Sequence, residues 1–235
     1  MNKDVIIALD FPTASKTLDF LSLFKDERPY VKVGMELYYA EGAALIKELK
    51  TRGMRVFLDL KLHDIPNTVK RTMSVLSSCG VDMVNLHASG TRAMMEAALE
   101  GLTRPNGTRP LLIAVTLLTS ISEEALCGEL AINETPEQTA VRLAYLAKQS
   151  GLDGVVCSPL EAGAVHEKCG RDFLTVTPGI RFADSEKGDQ SRIATPLRAR
   201  AESDYIVVGR PITASPDPLE AYKRCIKDFL GKDIK

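Results

Sequence analysis

The sequence predicts an α/β protein built as one (β/α)8 barrel, a TIM barrel, over residues 1–235. Three observations predict it. Eight short apolar runs suited to buried strands alternate with helix-patterned segments. No linker, low-complexity tract or solenoid-type repeat interrupts them. The length of 235 residues falls in the range of one barrel, and a hydrophobic content of 45% supplies a sizeable core. A doubly wound open sheet is the main alternative. It is disfavoured because Asp10-Phe11-Pro12, not a Gly-x-Gly turn, follows the first strand.

The elements follow in order. Val5 to Asp10 is an apolar run ending in an acid, the pattern of a buried parallel strand. Leu18, Leu21 and Leu23 fall on a helix that stops near Arg28-Pro29. Tyr30 to Gly34 is the second strand, with Lys32 in its middle. Leu37 to Leu49 is helical by spacing, and Thr51-Arg52-Gly53 supplies a glycine stop. Phe57 to Leu62 is the third strand, followed by Pro66 and a helix to Ser78. Val81 to His87 is the fourth, and Thr91 to Leu102 the helix after it. Pro110 to Thr116 is the fifth, leading through Thr119-Ser120 to a short helix at Glu123–Glu129 and a longer one at Pro136–Gln149. Gly154 to Cys157 is the sixth strand, with a helix from Pro159 to Lys168. Phe173 to Thr177 is the seventh, and residues 181–190 form a polar loop. Thr195 to Ala201 is helical, Tyr205 to Arg210 is the eighth strand, and Pro218 to Leu230 closes the chain.

Composition narrows the function. A formal net charge of −1, spread along the chain, gives no reason to expect a nucleic-acid partner. No apolar run is long enough to span a bilayer, and no signal peptide is expected at the N-terminus. Five isolated cysteines argue against a disulfide framework or a zinc knot and suit the cytoplasm. No histidine pair has metal-ligand spacing, so no metal is expected.

Chemistry collects at the strand ends. In a barrel, catalytic groups lie at the C-terminal ends of the strands. Alternation puts Leu58, Leu60 and Leu62 on one face of the third strand and Asp59 and Lys61 on the other. Asp10 and Lys32 occupy matching ends. If those faces point inward, Asp10, Lys32, Asp59 and Lys61 form an alternating network in which acids hold each lysine charged. Gly209-Arg210 after the last strand has the character of a phosphate site, since glycine admits backbone N–H groups and arginine offers a charged fork. Arg181 and Gln190 stand on a loop long enough to cover it, a candidate lid.

These residues resemble one family, orotidine 5′-phosphate decarboxylase in its bacterial form. The resemblance runs through Ala8-Leu9-Asp10, Val31-Lys32-Val33-Gly34, the Asp59–Thr68 signature, Val115–Ser120, Thr177–Arg181, Asp189-Gln190 and Val208–Ile212, and so covers essentially the whole chain. It implies cofactor-independent decarboxylation of orotidine 5′-phosphate to UMP, with Lys61 stabilising and protonating the C6 carbanion. It implies that Asp59 lies near the departing carboxylate and that Asp10 and Lys32 hold the ribose hydroxyls. Thr119 and Ser120 then face the pyrimidine edge, and Gln190, Gly209 and Arg210 bind phosphate, with Arg181 at the base of the closing loop. The resemblance also implies a homodimer in which Asp64, Ile65 and Thr68 enter the partner's site.

Blander readings stand beside these. Asp59 with Lys61 has the makings of a structural ion pair. Thr119 and Ser120 in isolation read as a helix N-cap pair. Arg181, Gln190 and Arg210, each alone, are ordinary surface or loop residues. His63 points away from Asp59 and Lys61 by alternation and reads as structural, His87 as a packing histidine, and His166 as a solvated helix residue. Two other functions compete. Metal-dependent sugar-phosphate decarboxylases and aldolases of the same superfamily share the Asp-x-Lys-x-x-Asp motif, but the fourth strand here ends in Asn85 and His87 rather than an acid. A non-catalytic nucleotide-binding barrel has no need of Lys61.

Overall fold

The structure, a computed structural model, describes residues 3–25, 27–183 and 193–232. Eight parallel strands close into a barrel in sequence order: β1 (Asp4–Ala8), β2 (Tyr30–Gly34), β3 (Arg55–Leu62), β4 (Met83–His87), β5 (Leu111–Val115), β6 (Gly154–Val156), β7 (Leu174–Thr177) and β8 (Tyr205–Val208). Closure is made by β1 pairing with β8, from Asp4 opposite Tyr205 to Ile7 opposite Val208. The predicted strands are all present, with most ends shifted by no more than two residues; β1 and β3 start earlier than expected, at Asp4 and Arg55.

The pleat sorts the side chains into two cores. Ile6, Ala8, Tyr30, Phe57, Met83, Ile113, Val176 and Val207 point inward and fill the barrel. Their neighbours Val5, Ile7, Val31, Val33, Leu58 and Val84 point outward and pack under the helices. The inward set matters most, because it fixes the phase of the residues beyond it. Asp59 follows Phe57 by two, Lys32 follows Tyr30 by two, and Asn85 follows Met83 by two, so all three face the barrel mouth.

The helices are α1 (Ala14–Ser22), α2 (Met35–Thr51), α3 (Pro66–Ser78), α4 (Thr91–Leu102), α5 (Glu123–Gly128), α6 (Pro136–Gln149), α7 (Ala162–Cys169), α8 (Pro196–Ala199), α9 (Arg210–Thr213) and α10 (Pro218–Leu230). Local chemistry starts several of them. Thr135 caps α6 in a reciprocal capping box with Gln138, and Pro136 takes the first helical position. Two differences from expectation have simple causes. The helical pattern of residues 37–49 is broken at Gly42, whose φ of 67° puts a turn inside α2 that the apolar spacing does not register. Strand β8 stops at Val208, and Arg210 opens α9, with Pro211 inside its first turn.

His166 overturns its reading as a solvated helix residue. It is buried at 4% exposure, and its Nε2 lies 3.0 Å from Asp204 Oδ2. Asp204 also accepts from the Thr175 backbone N–H at 2.9 Å and the Thr175 hydroxyl at 3.1 Å. This buried polar cluster sits at the N-terminal end of the barrel, away from the mouth, where it ties α7 to β7 and β8. Among the described residues no helix is long and apolar enough to cross a membrane.

Candidate active site

A cavity of about 580 Å³ opens at the C-terminal end of the barrel, within the size range of small-molecule sites. Its floor is apolar: Ala8, Phe57, Val115, Val156 and Val207. Its rim carries Asp10, Lys32, Asp59, Lys61, Thr119, Ser120, Arg181, Gly209 and Arg210. Nine of the residues singled out in the sequence therefore meet at one opening, although they come from β1, β2, β3, β5, β7 and β8 or the turns after them.

The charges form a continuous chain. Lys32 Nζ stands 3.2 Å from Asp10 Oδ1 and 3.3 Å from Asp59 Oδ2. Lys61 Nζ stands 2.7 Å from Asp59 Oδ1. Asp59, at 8% exposure, is the hub. Burial pushes its pKa up, but the ammonium groups of Lys32 and Lys61, together with hydrogen bonds from Lys61 and Asn85, outweigh burial and hold the carboxyl below its ordinary value. Asp59 is thus ionised at neutral pH. Asp10 is the open end of the chain, with a side chain 65% exposed.

The strand that carries Asp59 and Lys61 is not regular. Register against β4 shifts between Leu58 and Leu62. Lys61 adopts a φ of 51°, the left-handed region that costs a non-glycine residue roughly 1–2 kcal/mol. Its N–H does not join the strand ladder but donates to Asn85 Oδ1 at 2.8 Å. A local distortion that re-aims a side chain is common beside active sites. Alternation placed Lys61 at the mouth correctly, but the geometry that puts it there is a kink.

The other residues divide. Thr119 and Ser120 line the cavity, and the cap of α5 is Ser122, so the N-cap reading of the pair falls away. Arg181 is buried at 8% exposure and donates from Nη1 to the Ile180 carbonyl at 2.8 Å. Arg224 lies over the Phe182 ring at 4.2 Å, bracing the residue next to Arg181. Gln190 and most of the expected lid lie outside the described residues. Asp64, Ile65 and Thr68 do not line the cavity of their own barrel; all three are exposed, with Ile65 at 67%. His87 is half-buried and stacks on the His63 ring at a centroid distance of 5.6 Å. Burial, then the neighbouring His63 and Lys61, lowers its pKa, so it is neutral at pH 7. Asn85, which the sequence offers only as a strand end lacking a metal-binding acid, bonds both Lys61 and Asp59. Its signal was present: a polar side chain on the inward phase of β4, level with Asp59. Among the described residues no three His, Cys, Asp or Glu side chains group as metal ligands.

Known proteins agree with this geometry. Residues 3–225 match the model of the orotidine 5′-phosphate decarboxylase / HUMPS family. A protein of Geobacillus sp. (strain WCH70) named orotidine 5′-phosphate decarboxylase is 54% identical over 239 residues, covering 100% of both chains. One of the same name from Bacillus cytotoxicus is 55% identical over 238 residues, again covering 100% of both. The crystal structure of orotidine 5′-phosphate decarboxylase from Lactobacillus acidophilus superposes with a TM-score of 0.86 at 43% identity, covering 97% of this chain and 99% of that one. With its barrel, its charged mouth and these relatives, the chain belongs to the orotidine 5′-phosphate decarboxylase / HUMPS family.

Proposed function

We infer that this protein decarboxylates orotidine 5′-phosphate to UMP, the final step of de novo pyrimidine nucleotide synthesis, without a cofactor. Family membership supports the reaction, and one observation carries the mechanism: the unbroken Asp10–Lys32–Asp59–Lys61 chain of ion pairs at the cavity mouth. Breaking the bond from C6 to the carboxylate releases CO2 and leaves the electron pair on C6. Lys61, beside that carbon, stabilises the charge and donates a proton to it; water then reprotonates the amine. At ~4 Å and an effective dielectric of ~20 a charge pair is worth about 4 kcal/mol, against about 1 kcal/mol in bulk water. The benefit depends on a closed, preorganised site. Asp59 holds Lys61 and faces the departing carboxylate. Asp10 and Lys32 take the ribose hydroxyls, and Thr119 and Ser120 the pyrimidine edge. Gly209 and Arg210 take the phosphate together with Gln190, and Arg181 anchors the loop that bears it. Binding energy from the phosphate, remote from C6, serves the chemical step.

The proposal extends to a homodimer with shared sites. Asp64, Ile65 and Thr68 begin α3 in exposed positions, and Asp64 Oδ1 accepts from the adjacent Ile65 N–H at 2.6 Å. From there they are available to a second copy, whose Lys61 then gains Asp64 as a further carboxylate. All five cysteines are thiols, which suits the reducing cytoplasm.

The test is a spectrophotometric assay with orotidine 5′-phosphate in the presence of chelator. Turnover that survives chelation, and that disappears in a folded Lys61→Ala variant, is the expected result. Loss of activity on chelation points instead to the metal-dependent sugar-phosphate chemistry of the superfamily. Appreciable decarboxylation by Lys61→Ala removes Lys61 from its role.

A further inference from the structure

We infer that Asn85 is a positioning residue of this reaction: its side-chain amide fixes the backbone kink at Lys61 and the Asp59 carboxylate in one geometry. The inference rests on the decarboxylase reading above, and it begins from a buried amide. Asn85 is 1% exposed and faces the barrel interior in phase with Met83. A buried amide is costly unless both ends are bonded, and here both are. Oδ1 accepts the Lys61 N–H at 2.8 Å, and Nδ2 donates to Asp59 Oδ1 at 2.7 Å.

Each bond performs a separate task. The first satisfies a backbone donor that the shifted β3–β4 register takes out of the ladder. It thereby supports Lys61 at a φ of 51°, which the lysine would not adopt by preference. The second adds a donor to the oxygen that already receives Lys61 Nζ at 2.7 Å. The other oxygen of Asp59 faces Lys32 Nζ at 3.3 Å. With three donors from three strands, the carboxylate has little freedom to rotate, and the ammonium it holds has little freedom to wander. An ionised aspartate at position 85 could accept from Lys61 but has nothing to donate to Asp59, and it would set a second carboxylate against the first unless a proton were taken up between them. An amide of this length meets both requirements.

A merely structural asparagine and a positioning asparagine predict different results. The experiment compares the full-length protein with Asn85→Ala. It measures the Asp59 carboxyl titration by carbon-13 NMR and the pH dependence of kcat and KM with orotidine 5′-phosphate. The groups that face Asp59 are Lys32, Lys61 and Asn85, with Asp10 and His87 beyond them, and only Asn85 is changed. Losing a hydrogen bond to a charged group corresponds to a fall in kcat of roughly 10- to 100-fold. KM should change much less, because the cavity residues proposed to hold the phosphate are untouched. The Asp59 midpoint should rise. A kcat within about twofold of the parent overturns the proposal, and so does a fall in kcat with the Asp59 midpoint unmoved. If Asn85→Ala does not fold, Asn85→Leu fills the same volume and removes both bonds; a parental kcat in that variant overturns the proposal equally. A parent protein inert toward orotidine 5′-phosphate refutes the decarboxylase reading instead, and the Asp59 titration then still decides whether Asn85 sets that carboxylate.

Discussion

Replacing Lys61 by glycine should give a more stable protein than replacing it by alanine. At an ordinary strand position the order is the opposite, since glycine costs roughly 0.5–1 kcal/mol relative to alanine. At position 61 the backbone is left-handed, with a φ of 51°. Alanine there bears a strain of about 1–2 kcal/mol that glycine does not. Glycine's larger unfolded-state entropy, about 0.4–1 kcal/mol, works against this but is smaller. The net is about 1 kcal/mol in favour of Lys61→Gly, or roughly 2–4 °C in Tm for a chain of this size. The comparison is clean because both variants lack the ammonium and leave Asp59 with the same remaining donors, Lys32 and Asn85. Urea midpoints and thermal melts on the two variants provide the measurement, and neither should turn over orotidine 5′-phosphate. If Lys61→Ala proves the more stable, the strand runs regularly through position 61. The kink, and the task assigned to Asn85 in holding it, would then both be wrong.

Three further outcomes are expected. Mixing inactive Lys61→Ala and Asp64→Ala chains should restore some activity, because a hybrid dimer contains one site with every native group; mixed dimers without activity would remove Asp64 from the partner's site. Asp59→Asn should narrow its stability deficit in acid. The folded carboxyl titrates below its ordinary value, so its stabilisation is present above the unfolded pKa of about 3.9 and is lost as pH falls through the folded value. Denaturation curves should therefore show the widest gap between parent and variant near neutral pH and a shrinking gap below about pH 4, and a gap independent of pH would contradict the assignment. Asp204→Ala strips the bonds to His166 and Thr175 and should cost about 3 kcal/mol. Its kcat at a permissive temperature should stay parental, because Asp204 lies at the stability end of the barrel; a lowered kcat would mean that this end communicates with the mouth.

The legible parts of the sequence are those governed by short-range repetition. Alternation in β1, β2 and β3 points Asp10, Lys32, Asp59 and Lys61 to one mouth, although the kink sets the final place of Lys61, and the four meet there with separations of 2.7–3.3 Å. Helix starts are equally local, as the Thr135 capping box illustrates. Less legible are the features set by partners distant in sequence. His166 reads as solvated from its own helix, but Asp204, 38 residues away, holds it in the interior. Asn85 looks like an unremarkable strand residue until β3, 26 residues earlier, brings Asp59 against it. The distortion at Lys61 leaves no trace in composition, since lysine is a poor marker for a left-handed backbone.

That distortion bears on how the charges are shared. Asp59 receives three donors within one barrel: Lys32, Lys61 and Asn85. Lys61, by contrast, has among the described residues one carboxylate partner, and that carboxylate is divided between two lysines. An ammonium placed at a developing carbanion must be held charged and held still, and half a carboxylate does this poorly. The strand bends to bring Lys61 to the mouth, and the turn directly after it carries Asp64 outward, exposed and bonded to the adjacent Ile65 N–H. The bend and the outward acid belong to the same six residues. A barrel that kept Asp64 for itself would need the chain to reverse immediately after Leu62, where Pro66 already directs it into α3. In the dimer proposed above, a second copy would supply the missing carboxylate without that reversal, which is the physical ground for proposing Asp64 in the neighbouring site. It also separates the proposed dimer from a passive association: if Asp64 completes the charge balance of Lys61, dilution below the dimer dissociation constant should abolish turnover before it unfolds the barrel. Activity per chain that stays constant through dissociation would show that one barrel balances its own charges.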